Sequence, residues 1–176
     1  RIQKSAGIFN VERLDWYNKE YIKKLSPKDL EIRVSDELGT QDEIFIKKIT
    51  PIVIDRINKF SDIKKIKEEE LSFFFNEPEY AKELLLWKKE PSFEKTKKHL
   101  EEVVKLLSGL NEGEFSPDEI KEAVWNYAEK EGRGNVLWPM RVVLTGLDKS
   151  PDPFAVAGVL GKEKTIKRLI YAIGKI

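Results

Sequence analysis

The stretch 116–131, SPDEIKEAVWNYAEKE, constrains the fold more than any other part of the chain. Ser116 is a helix-capping residue, Pro117 suits the first helical position, and Glu119 has the spacing of a capping box. Ile120, Ala123, Val124, Tyr127 and Ala128 then recur every three or four residues, so a helix over 117–131 must bury one face against something else. The same pattern of start signal, stripe and stop signal repeats along the chain. Asn10 caps a helix through Leu25 with Leu14, Tyr17, Tyr21 and Leu25 on one stripe, and Ser26-Pro27 opens a helix over 27–38 that Gly39 closes. Thr40 and Glu43 have capping-box spacing ahead of EIFIKKI, Pro51 opens PIVIDRINKF, and Ser61 caps SDIKKIKEEELSFFF. Ser92 precedes a helix with Leu100, Val103, Val104 and Leu107 on one face. Pro139 and Pro153 each begin a short helix, and 162–173 makes the last one, with Gly174 as its stop.

No segment alternates with period two between hairpin turns, so the expected class is all-α. The polar, proline-marked link Asn76-Glu77-Pro78 follows the aromatic run Phe73-Phe74-Phe75 and divides the chain into two consecutive helical bundles, 1–78 and 79–176. With 176 residues there is material for a sizeable core. Leu14, Trp16, Tyr21, Val104, Leu107, Val124 and Tyr127 are expected to be buried.

Composition excludes most chemistry. There is no cysteine, hence no disulfide framework and no thiolate metal site. The single histidine, His99, stands beside Lys97 and Lys98 in a helix and reads as a solvated or half-buried side chain. GRG at 132–134 is a turn between helices and lacks the strand that a phosphate-cradling loop needs. Carboxylates are abundant on helix faces, where their ordinary role is solvation and i,i+4 pairing. No apolar run approaches a membrane span and no signal peptide precedes the fold, so the expected setting is cytosolic. Net charge is only +1, from 32 basic and 31 acidic residues, but it is unevenly spread. Residues 111–120 carry four acids and no base, whereas 161–176 carry five bases and one acid. The first residue is Arg1 rather than methionine, which reads as part of something longer.

The block GNVLWPMRVVLTG, 134–146, sets a charge among core residues. Pro139 favours a helix that starts there and ends at Gly146, with Met140, Val143 and Leu144 on its buried stripe. Arg141 then lies in the first turn, off the stripe, where a cation opposes the helix dipole by about 0.3–1 kcal/mol. Its removal is therefore expected to leave stability nearly unchanged. The following TGLDKSPDPFAVAG, 145–158, holds a loop stiffened by Pro151 and Pro153, with Asp152 as a cap and Phe154 as an apolar residue at the start of a helix. Such a loop can hold a planar base at little ordering cost, or simply join two helices.

LWPMRVVLTG and SPDPFAVAGVLGKEKTIKRL resemble the C-terminal end of bacterial-type glutamyl-tRNA synthetases. FNVERLDWYNKEYIKKLSPKDL is similar to the same family through Leu14, Asp15, Trp16, Asn18, Tyr21 and Ile22, and LLLWKK at 84–89 recurs there too. The blocks cover essentially the whole chain in the family's order. The resemblance implies two α-helical bundles that read the anticodon of a tRNA, with a nucleotide-binding catalytic domain upstream. Neither of that domain's signature motifs occurs here, so this chain implies recognition without catalysis and needs no cofactor. The parent enzyme would ligate glutamate to tRNA with ATP and magnesium.

By the same resemblance, Arg141 matches an arginine that contacts the anticodon, Trp138 lies in the same block, and Pro151, Pro153 and Phe154 belong to a loop that flanks a splayed base. Unpaired bases are read by stacking and by donors to their edges, which a guanidinium fork supplies. Where relatives that reject glutamine tRNA carry an arginine before a phenylalanine, this chain has Lys59, with Arg56 one turn earlier on the same face. Lysine lacks the planar fork, which leaves the choice between glutamate and glutamine tRNA open. The expected partner is glutamate tRNA, with glutamine tRNA as a second; no membrane is implied, and the expected state is a monomer. The alternative from another class is a protein-interaction or helix-turn-helix module built on 117–131 and 139–146.

Overall fold

A computed structural model describes residues 10–89 and 91–176. Among the described residues the chain is helical throughout and contains no strand. It forms two compact units, one ending at Glu68 and one beginning at Glu69.

The first unit holds α1 (Val11–Ile22), α2 (Pro27–Leu38), α3 (Glu43–Arg56) and nearly all of α4 (Asp62–Glu69). Asn10 caps α1 by accepting from the Arg13 N–H at 3.0 Å, and Gly39 closes α2 in the left-handed conformation at φ 68°. Val34, Ile49, Val53, Ile57 and Ile63 make the centre of the core.

Three local expectations fail here. The Thr40–Glu43 box does not form; Asp42 caps α3 instead, accepting from the Phe45 N–H at 3.0 Å. Pro51 does not open a helix but stands inside α3. Its missing N–H leaves the Lys47 carbonyl without its helical partner, on the exposed side, while Ile46, Ile49, Ile52 and Val53 are buried and hold the helix continuous. Ser61 does not cap α4; the Asp62 carboxylate takes the Asn58 and Lys59 N–H groups at 3.1 and 3.0 Å.

The face of α1 also departs from expectation. The helix stops at Ile22, and Leu14, Trp16 and Tyr21 are 42%, 59% and 68% exposed. Periodicity says that a face is apolar; it does not say that its own unit covers it. Within that unit α1 buries Ile22 alone, and the Lys19 ammonium ties the helix to the Asp55 carbonyl.

The second unit contains α5 (Phe93–Ser108), α6 (Pro117–Glu131), α7 (Arg133–Thr145), α8 (Pro153–Leu160) and α9 (Lys162–Ile173). Short 3-10 turns at Ser72–Phe74 and Lys82–Leu85 pack on α7. The division therefore lies ahead of the link at 76–78, because the aromatic run belongs to this core: Leu71 and Phe73 are buried, and Arg168 holds the Phe73 and Asn76 carbonyls. Helix α8 buries almost every side chain, as expected of a helix packed against α6, α7 and α9 at once. The capping box at Ser116 and Glu119 forms as read, with both reciprocal bonds present. On the predicted stripes Leu107 and Val124 are fully buried, whereas Val104 and Tyr127 are half-buried.

Helix α7 overturns the reading of Pro139. It starts at Arg133, six residues earlier, with Pro139 buried in its middle. The start is set by packing. A Cβ on Gly134 would lie 2.4 Å from the Trp87 ring, so only glycine lets the helix begin against that indole. The Asn135 amide also donates to the Glu131 carbonyl at the end of α6 (2.9 Å). These contacts, with Val136 fully buried, outweigh the bond that Pro139 cannot donate.

Candidate nucleic-acid interface

Moving the start of α7 changes what Arg141 is. It stands past the middle of the helix, outside both terminal turns, so the opposition to the dipole expected of a first-turn cation does not arise. Its side chain is half-buried and turned onto the next loop. A single nitrogen, Nη1, donates to the Ser150 carbonyl (2.8 Å), the Ser150 hydroxyl (3.1 Å) and the Pro151 carbonyl (3.2 Å). The Ser150 hydroxyl donates in turn to the Pro151 carbonyl at 2.9 Å. Arg141 is thus a clamp on the loop, and its loss cannot be neutral for stability. The rest of the guanidinium, Nε and Nη2, has no partner among the described residues.

The loop is fixed at both ends. Gly146 turns the chain out of α7 in the left-handed conformation at φ 74°, and the Thr145 hydroxyl accepts from the Leu147 N–H. Asp152 caps α8, taking the N–H groups of Phe154 and Ala155 at 2.9 and 3.2 Å. Pro151, Pro153 and Phe154 are all buried, Phe154 at 3% exposure. They do not project as apolar tips; the exposed residues of this stretch are Asp148, Lys149 and Asp152, and Arg141 is half-buried.

Trp138 is half-buried, with its indole N–H donated to the Leu84 carbonyl at 2.8 Å and its ring 5.4 Å from that of Trp87. It anchors the 82–87 segment to α7. In the first unit, Lys59 is exposed in the turn after α3, with its ammonium 3.9 Å from Asp62. Arg56 is the last residue of α3 and bonds back to the Ile52 carbonyl at 3.2 Å. Because Ile57 is extended (φ −99°, ψ 153°), Arg56 and Lys59 do not share a helical face.

Two features escaped sequence reasoning. Arg168 on α9 is only 7% exposed and bonds the Leu144 carbonyl (2.7 Å), the Phe73 and Asn76 carbonyls, and Glu77. Burial pulls its pKa downward, and Glu77 opposes that shift. Lying among the five bases of the C-terminal stretch, it carried no local sign of being buried. His99 is likewise buried, its Nδ1 2.9 Å from the Tyr127 hydroxyl. A cleft of about 1170 Å³ opens beside Arg168, between Tyr80 and Tyr171, and does not include Arg141 or its loop. Acids and bases line it in equal number, so it favours neither sign of charge. No cluster of His, Asp or Glu among the described residues is placed to hold a metal, and no described helix is long and apolar enough to cross a membrane.

The anticodon binding domain family matches residues 10–173. The glutamate–tRNA ligase of Clostridium botulinum strain Hall is 33% identical over 182 residues, covering 99% of this chain and 36% of its own length. That of Chloroherpeton thalassium is 29% identical and is covered to 37%. Among solved structures, a glutamate tRNA ligase from Elizabethkingia meningosepticum aligns over 98% of this chain and 34% of its own, with a TM-score of 0.77 and 30% identity. The chain therefore spans about a third of the length of the relatives it matches.

Proposed function

The chain belongs to the anticodon-binding domain family, and on that premise we propose that it is the tRNA-reading part of a glutamate–tRNA ligase. What supports the reading is the match along nearly the whole chain, in one order, to ligases that carry that name. In the proposed complex, Arg141 holds the 147–151 loop with one nitrogen and offers Nε and Nη2 to an unpaired base or the backbone beside it. A good arginine–base contact is worth about 1–3 kcal/mol. Pro151, Pro153 and Phe154 stiffen that loop, and Trp138 braces the helix that carries Arg141. Lys59 and Arg56 serve the first unit's share of the RNA, with a preference for glutamate over glutamine tRNA that a lysine enforces weakly. ATP and magnesium would be used by parts of the ligase outside this chain.

The helix-turn-helix alternative has no reading helix to offer. Val136, Pro139, Met140 and Val142–Thr145 of α7 are all buried, so the helix cannot lie in a major groove. The test is a binding assay with a stem-loop RNA carrying a glutamate anticodon, the same stem-loop with a changed anticodon, and duplex DNA. Preference for the first is expected. Equal affinity for all three, or tighter binding to the duplex, would overturn the reading.

A further inference from the structure

Trp125 is half-buried on α6, one turn from the exposed Lys121 and one turn from the exposed Glu129, and it serves none of the roles described for the other site residues. Its ring meets Phe154, the second residue of α8, edge-on at 6.5 Å and 62°. The contact ties α6 to the start of α8, the helix that follows the loop Arg141 clamps. Two cations lie over the same indole: the Arg133 guanidinium carbon at 4.5 Å from the ring centroid and the Lys121 ammonium at 5.1 Å. They are held differently. Arg133 is anchored through Nη2 to Glu129, whereas Lys121 has no anchor among the described residues apart from the ring. The indole N–H has no partner there either, in contrast to that of Trp138.

We propose that Trp125, Arg133 and Lys121 form a stacking site for a second unpaired nucleotide of the bound RNA. The inference rests on the anticodon-binding reading above and extends it to α6. An aromatic face flanked by cations matches a flat base joined to an anionic phosphate, and it is tolerant of which base arrives. Arg133 stays on the ring because Glu129 holds it. Lys121, free to move, leaves the ring for the phosphate, and the base takes the surface it uncovers. The anchored guanidinium also keeps Nε and Nη1 for the base edge.

The test uses this chain, a glutamate-anticodon stem-loop RNA, and the same RNA made abasic at each loop nucleotide in turn. Trp125→Leu is expected to weaken binding by about tenfold and Trp125→Phe by no more than about twofold, as for loss and retention of a stacking partner. Apart from any position read by Arg141, one abasic position should cost the unaltered chain about tenfold and cost Trp125→Leu nothing further. Lys121→Ala should reduce the salt dependence by about 0.7 in log–log slope, the share of one contact to single-stranded phosphate. Thermal melts accompany each variant, and if Trp125→Leu does not fold, an unchanged salt slope in Lys121→Ala overturns the site. Stem-loop binding that prefers the glutamate anticodon but is indifferent to Trp125 overturns this site alone. Absence of that preference in the unaltered chain overturns the anticodon reading and the site together.

Discussion

Replacing Arg141 with alanine removes one charged donor from three acceptors while leaving the core of α7 intact. A hydrogen bond to a charged group contributes about 1.5–3 kcal/mol net, and a half-buried position admits water in its place, which argues for the lower end of that range. The Pro151 carbonyl keeps the Ser150 hydroxyl as a donor, so the exposed deficit falls mainly on the Ser150 carbonyl. We therefore expect a loss of about 1–2 kcal/mol. In a unit of this size that lowers the melting temperature by roughly 5–10 °C. The transition to follow is that of the second unit, reported by near-ultraviolet circular dichroism of the packed Trp87–Trp138 pair. Lysine separates the two roles of the side chain. The clamp uses a single nitrogen, which an ammonium can replace, whereas Nε and Nη2 belong to a fork that lysine lacks. Arg141→Lys should recover most of the stability but little of the RNA affinity. An unchanged melting temperature in Arg141→Ala would refute the clamp, and parallel recovery of both properties by lysine would refute the division of labour.

Arg168→Met should be the more damaging change, costing about 2–4 kcal/mol, because it strips a donor from the carbonyl of Leu144, a fully buried residue, and frees the 73–77 segment; urea unfolding measures it. Burial, reinforced by Tyr171, pushes the Tyr80 hydroxyl up to about 12. Its folded pKa then exceeds its unfolded value near 10, so its contribution to stability is present below pH 10 and is lost as pH rises toward 12. An alkaline absorbance titration should show a late tyrosinate step that Tyr80→Phe removes. For Lys59, substitution by arginine in a ligase carrying this chain should raise glutamate-tRNA charging relative to glutamine-tRNA charging. An unchanged ratio would make Lys59 a solvated surface residue.

Where a signal is local, it could be read directly from the chain. Asn10, Ser26, Ser92, Ser116 and Asp152 all cap the helices they precede, because a cap needs only its own turn of backbone. The all-α class follows from the same turns. The prolines show where such reading stops. Pro51 and Pro139 carry a local preference for helix starts, but packing around Ile49 in one case and against Trp87 in the other runs the helix through both. The course of α7 through Pro139 turned Arg141 from a cation at odds with the dipole into a loop clamp. The tertiary structure decided which of the C-terminal bases is buried, since Arg168 lies where the carbonyls of Phe73, Asn76 and Leu144 converge. Likewise, periodicity marked the face of α1 as apolar, but whether such a face is covered depends on what packs against it. Capping and periodicity are properties of a few consecutive residues, whereas burial belongs to whatever the fold brings alongside.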